Sequence, residues 1–164
     1  MTITSDQFQW GQSQMLSSTL LFLHILTVII VVVVHSGSQV LVLAAARTDQ
    51  PAAVAAIAGM YARTGRLVPP LGMLGLLFGL LTALTGGFNL LAPWLLIAYG
   101  LFLLLVIYGG SKSYPFIVDL GVAVREGRPN HQELLGRPLT VVVAFDALIL
   151  VAIIADMVLK PFGS

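Results

Sequence analysis

Four residues of the chain could do chemistry where water is scarce. His24 and His35 lie in the apolar run "LLFLHILTVIIVVVVHSGSQV", and Asp146 and Asp156 in "VVVAFDALILVAIIADMVL". A carboxylate at the centre of a membrane helix costs about 2.5–3.5 kcal/mol on the insertion scale, so such groups usually face a partner or water. Imidazole and carboxylate together can exchange a proton, hold a small ion or contribute metal ligands. His24 and His35 are 11 residues apart. At ~100° per residue both rings fall on one helix face, about 16 Å apart along the axis. Ser36, Ser38 and Gln39 extend the polar patch beyond His35.

Elements long enough to hold these groups in a bilayer are visible directly. Of 164 residues, 58% are hydrophobic and 9% charged, against about 25% charged in an average soluble domain. No Asp, Glu, Lys or Arg occurs between Leu16 and Ala46. A helix needs about 20 residues to cross the hydrocarbon. The apolar runs predict an all-α, four-transmembrane-helix bundle in a single domain, 1–164. Its spans cover about 18–44, 67–87, 92–111 and 138–159. The run near the N-terminus lacks the basic flank of a signal peptide, so it is expected to be retained.

Seven of the eight basic residues fall in alternate connections: Arg47, Arg63 and Arg66 after span one, and Lys112, Arg125, Arg128 and Arg137 after span three. The positive-inside rule then places both connections in the cytoplasm and both termini outside. Each connection is expected to be helical. Pro51 starts one short helix. Phe116, Ile117, Leu120 and Val124 give the other an apolar face suited to the membrane interface.

Span four antiparallel to span one puts His35 and Asp146 at similar depth. The two are expected to face each other in the bundle interior, directly or through one water, with His24 too far away to share Asp146. His24 and Asp156 both belong to the outer half. Within span two, Gly75, Gly79, Ala83 and Gly87 recur every four residues, a small-residue ladder for close helix packing or for another subunit. Trp10, Trp94 and Tyr99 are candidate interfacial anchors.

Haem or copper is an alternative at His24 and His35. An imidazole pair on haem needs two histidines from facing helices at one depth, and His131 lies in a connection. Met73, Met157 or a second copy of the chain would have to complete the ligand set. Cysteine is absent, which excludes disulfides and thiolate chemistry. Walker, HExxH and GxSxG motifs are missing, so an enzyme is not the favoured reading and no cofactor is predicted. Net charge is +1 with no basic run, which argues against nucleic acid.

The opening "LLFLHIL" with His24, and the closing "MVLKPF" with Lys160-Pro161, resemble a family of uncharacterised bacterial integral-membrane proteins. That family is distantly similar to the membrane part of copper-resistance-D-like proteins. The resemblance implies a small four-helix protein of the bacterial inner membrane, with His24 as a metal or haem contact.

Three functions follow as expectations. The first is a non-enzymatic subunit or accessory factor of a membrane complex, with a protein partner or a second copy and the lipid bilayer as its surroundings. The second is a proton or small-ion conductor using His24, His35 and Asp146. The third is a haem- or copper-binding redox protein.

Overall fold

A computed structural model describes residues 5–160, with side chains described from residue 14 onward. It is an all-helical bundle. Four helical columns, Gln14–Arg47, Pro51–Thr85, Pro93–Glu126 and His131–Leu159, are each long and apolar enough to cross a membrane. The second has 35 residues, about 52 Å at 1.5 Å per residue. That exceeds the ~30 Å hydrocarbon core, so the second column, and the third, of 34 residues, are each longer than one crossing needs.

Local chemistry sets the breaks within each column. In the first, α1 (Ser5–Val32) passes through a π turn at Val33–Gly37 into α2 (Ser38–Arg47). The chain turns at Asp49, with φ of 52°, and α3 (Pro51–Thr64) starts with proline in its first turn. Proline costs nothing there, because the first helical N–H groups have no intrahelical acceptor. A single 3-10 turn, Gly65–Leu67, carries α3 into α4 (Val68–Thr85). In the third column α5 (Pro93–Tyr108) runs through a second π turn, Gly109–Ser113, into α6 (Tyr114–Glu126). Gly127, at φ of 64°, ends α6 in the left-handed conformation that favours glycine. A short α7 (His131–Leu135) then leads to α8 (Arg137–Leu159).

The helical connections expected from sequence are therefore continuations of spans two and three. At this basic end α3 packs on α2 and α6. The fully buried core sits here: Val42, Val54, Ala58, Tyr61, Ile117, Leu120 and Leu139. A Cβ at Gly121 would lie 2.5 Å from the Ala58 Cβ, so only glycine lets α6 approach α3 this closely. The expected interfacial face of α6 is corrected by this packing. Ile117 and Leu120 have no exposed surface, and Phe116 and Val124 pack against the core; the face is buried in protein.

Towards the opposite end the columns form two pairs, α1 with α4 and α5 with α8. The ladder of span two provides the first contact. Gly75 accepts Thr27 and Val28 of α1, and Gly79 accepts the His24 ring. Ala83 is buried. Gly87 departs from the expected ladder: α4 ends at Thr85, and Gly87 lies in the following turn with φ of 71° and open space around it. Its role is backbone conformation, not helix contact. Edge-to-face packing of Phe88 on Trp94 closes this end, with Lys160 Nζ 5.3 and 5.4 Å from the two ring centroids.

Candidate functional site

All four columns contribute a polar side chain to one buried cluster where the two helix pairs meet the basic-end core. The first column supplies His35 and Gln39, the second Tyr61, the third Ser113 and the fourth Asp146. None is more than 6% exposed. Two of them sit in π turns: His35 in Val33–Gly37 and Ser113 in Gly109–Ser113. A π turn inserts an extra residue into the helix and re-aims the side chains around it; such bulges are frequent at functional sites.

The structure brings His35 and Asp146 together, with Nε2 of the imidazole 3.2 Å from Oδ2 of the carboxylate. The Tyr61 hydroxyl lies 2.5 Å from His35 Nδ1. Gln39 Nε2 donates to the same Asp146 oxygen at 2.7 Å. The carboxylate contact fixes one proton. A carboxylate only accepts, so Nε2–H of His35 donates to Asp146. The remaining nitrogen, Nδ1, then accepts from the Tyr61 O–H in the neutral ring. The opposite tautomer would aim the Nε2 lone pair at the carboxylate. Gln39 Nε2 also lies 3.2 Å from His35 Nε2; in this arrangement that is a contact between two donors that share one acceptor.

Three oxygens of the cluster have no hydrogen-bond partner among the described residues: Asp146 Oδ1, Gln39 Oε1 and Ser113 Oγ. Ser113 lies beside the Asp146 carboxylate, and Gln39 beside the Tyr61 hydroxyl. The cluster thus holds spare acceptor capacity at both ends of the Asp146–His35–Tyr61 chain. Sequence reasoning did not include Tyr61 or Ser113. Tyr61 carries a signal in retrospect, as the single aromatic of the alanine-rich run "PAAVAAIAGMYARTGR".

His24 stands apart from the cluster. Its Nδ1 is 2.7 Å from the Gly75 carbonyl oxygen, and a carbonyl only accepts, so Nδ1 carries the proton. This bond ties α1 to α4 in the space left by Gly79. The Nε2 lone pair of His24 remains available as a single ligand. Between the two histidines, Thr27 turns its hydroxyl back to the Leu23 carbonyl at 2.7 Å. Asp156 is buried near the far end of α8, and neither of its oxygens has a partner among the described residues. It makes no hydrogen bond with His24.

For a metal or haem the donor geometry is poor at His35, because both ring nitrogens are engaged. Among the described residues no three His, Asp or Glu side chains converge to hold a metal ion. Met73 is 58% exposed on span two, whereas His24 sits against the glycine face of that helix. Of the expected anchors, Trp94 is buried beside Phe88, and the Tyr99 hydroxyl is buried without a partner among the described residues. The Trp10 side chain and Pro161 lie outside the described residues. Outside the membrane-spanning segments, Arg128 bonds Glu126 at 2.9 Å and Asp119 at 3.0 Å. These two carboxylates, Glu126 first, raise its pKa.

Comparison with protein-family models, curated proteins and solved structures finds no match to this chain.

Proposed function

We propose that this chain is a proton-handling protein of the bacterial inner membrane, with its termini outside and its basic end in the cytoplasm. The observation that carries this reading is the buried Asp146–His35–Tyr61 chain, assembled from three columns and braced by Gln39. The neutral ring holds one proton at Nε2. A second proton is accepted at Nδ1 if the Tyr61 hydroxyl rotates from donor to acceptor; its O–H then needs a new acceptor, and Gln39 Oε1, unpartnered in the same cluster, supplies one after a side-chain shift. The resulting imidazolium faces the Asp146 carboxylate.

The site binds and releases a proton locally and is not a continuous wire, since His24 bonds to Gly75 and not to the cluster. Infrared difference spectra of the purified protein on a pH step test this reading. Imidazole and carboxylate bands that change in wild type and vanish together in Asp146→Asn support it. A pH step that leaves both bands unchanged contradicts it.

A second reading, a subunit or accessory factor of a larger membrane complex, is favoured by the free face of span one. Phe22, Leu26, Ile29, Val33 and Val40 recur at helical spacing and are 42–64% exposed. A partner helix or a second copy would pack along this stripe. Purification in mild detergent at native expression tests it, and a lone monomer with no co-purifying protein counts against it.

A further inference from the structure

The second π turn leaves a backbone carbonyl without a donor. In a π turn the N–H of residue i+5 bonds the carbonyl of residue i. At the end of Gly109–Ser113 the Tyr114 N–H bonds the Gly109 carbonyl in this way. The next donor in that register would be residue 115, which is proline and has no N–H. The Gly110 carbonyl therefore receives a bond from neither Tyr114 nor Pro115. Two hydroxyls of the same segment are committed elsewhere: Ser111 donates to the Ile107 carbonyl and Tyr114 to that of Ala62. Gly110 also falls within span three as the sequence delimits it, about 92–111. A backbone group without a partner at such a place is tolerated only inside protein or beside a filled cavity.

Such a cavity is present. Gly110 is exposed and lines a cleft of about 210 Å³ between the two helix pairs. It has no side chain, so what it presents to the cleft is backbone. A Cβ there would meet nothing within 4 Å, so no neighbouring helix uses the space. The walls include Val31, Val68, Phe102 and Leu105. Apolar cavities stay dry, which makes water a poor source of the missing donor. Arg66 lines the cleft as well and has no ion pair among the described residues. It stands at the same end as Gly110: a Cβ at the adjacent Gly65 would lie 2.7 Å from the Tyr114 ring, and Tyr114 is one turn beyond Gly110. A guanidinium there disfavours an ammonium head. The donor that fits is a neutral hydroxyl on an apolar body. That body is small, since the cleft is below the ~300–1,000 Å³ of pockets for drug-sized ligands. The Phe102, Tyr61 and Tyr114 rings on its walls suit a flat aromatic one.

We infer that this cleft binds a small, neutral, alkyl-substituted phenol, its hydroxyl donating to the Gly110 carbonyl and its ring against Phe102. The ligand lies next to the polar cluster, because His35 and Tyr61 line the same cleft. Binding does not require proton exchange at His35.

Isothermal titration calorimetry in detergent, against protein-free micelles, tests the site. The probes are 4-propylphenol and 4-propylanisole, the methyl ether that has no proton to donate. The wild type should bind the phenol about tenfold more tightly than the ether, as one buried hydrogen bond allows. Pro115→Ala returns an N–H to the Gly110 carbonyl and should reduce that preference to about twofold or less. Pro115→Ser restores the same N–H, should do the same, and covers the case in which Pro115→Ala fails to fold. Gly110→Leu and Gly72→Val fill the cleft, and each folded variant should weaken both probes. Equal binding of phenol and ether by the wild type would overturn the inference. So would a preference that survives the proline substitutions, or unchanged binding in the folded cleft variants.

Discussion

The His24 ring occupies the space that a side chain at Gly79 would need: a Cβ there would come within 2.9 Å of both Cε1 and Nδ1. One glycine thus lets an imidazole tie span one to span two through the Gly75 carbonyl, 2.7 Å away. The residue with the most evident chemical potential in the opening apolar run is a packing element. The buried polar cluster lies about three turns further along, at His35.

Gly79→Val should separate α1 from α4 and break the His24–Gly75 bond. Overpacking of this kind costs about 1–3 kcal/mol. Gly87→Ala, where the surroundings are open but φ is positive, should cost less, about 1–2 kcal/mol. Unfolding in mixed micelles compares the two, and an equal or larger loss in Gly87→Ala would contradict the assignment of Gly87 to the turn.

Asp146→Leu should destabilise the fold by about 3–5 kcal/mol, because Gln39 and His35 lose their shared acceptor inside the bundle. Asp146→Asn should cost less, since it keeps a hydrogen-bonding group of similar size. The same unfolding measurement ranks them. A neutral Asp146→Leu would mean that the cluster is solvated or unpaired.

The extended connections should behave as structure. Gly121→Val places a branched side chain where only 2.5 Å separates a Cβ from that of Ala58. It should weaken α3–α6 packing enough to expose amides of Pro51–Thr64 to hydrogen exchange. Unaltered protection across α3 would show that the two helices do not depend on each other.

Four spans and the depth match of His35 with Asp146 were legible in the sequence, because apolar length and the 3.6-residue period are strong signals in a membrane chain. Gly75 and Gly79 were legible for the same reason. Gly87 was not, since a four-residue period says nothing about where the helix stops. Tyr61 and Ser113 were hidden by a different cause. Both lie in segments read as connections, and the helical continuity that carries them back to the cluster depends on a 3-10 turn and a π turn. Such turns leave little local trace in composition. The apolar face of α6 was visible, but its partner, α3 and not the membrane surface, depended on the close approach of Gly121 to Ala58.

His35 is held between Tyr61 at Nδ1 and Asp146 at Nε2–H, and nitrogen NMR of the imidazole tests this most directly. In protein labelled at histidine, His35 should show a protonated Nε2 and a hydrogen-bonded Nδ1. Tyr61→Phe should shift the Nδ1 resonance and leave Nε2–H in place, while His24, bonded to Gly75, should keep its own Nδ1–H signal in both proteins. A His35 ring protonated at Nδ1 alone, or one whose resonances ignore both Tyr61→Phe and Asp146→Asn, would contradict the account.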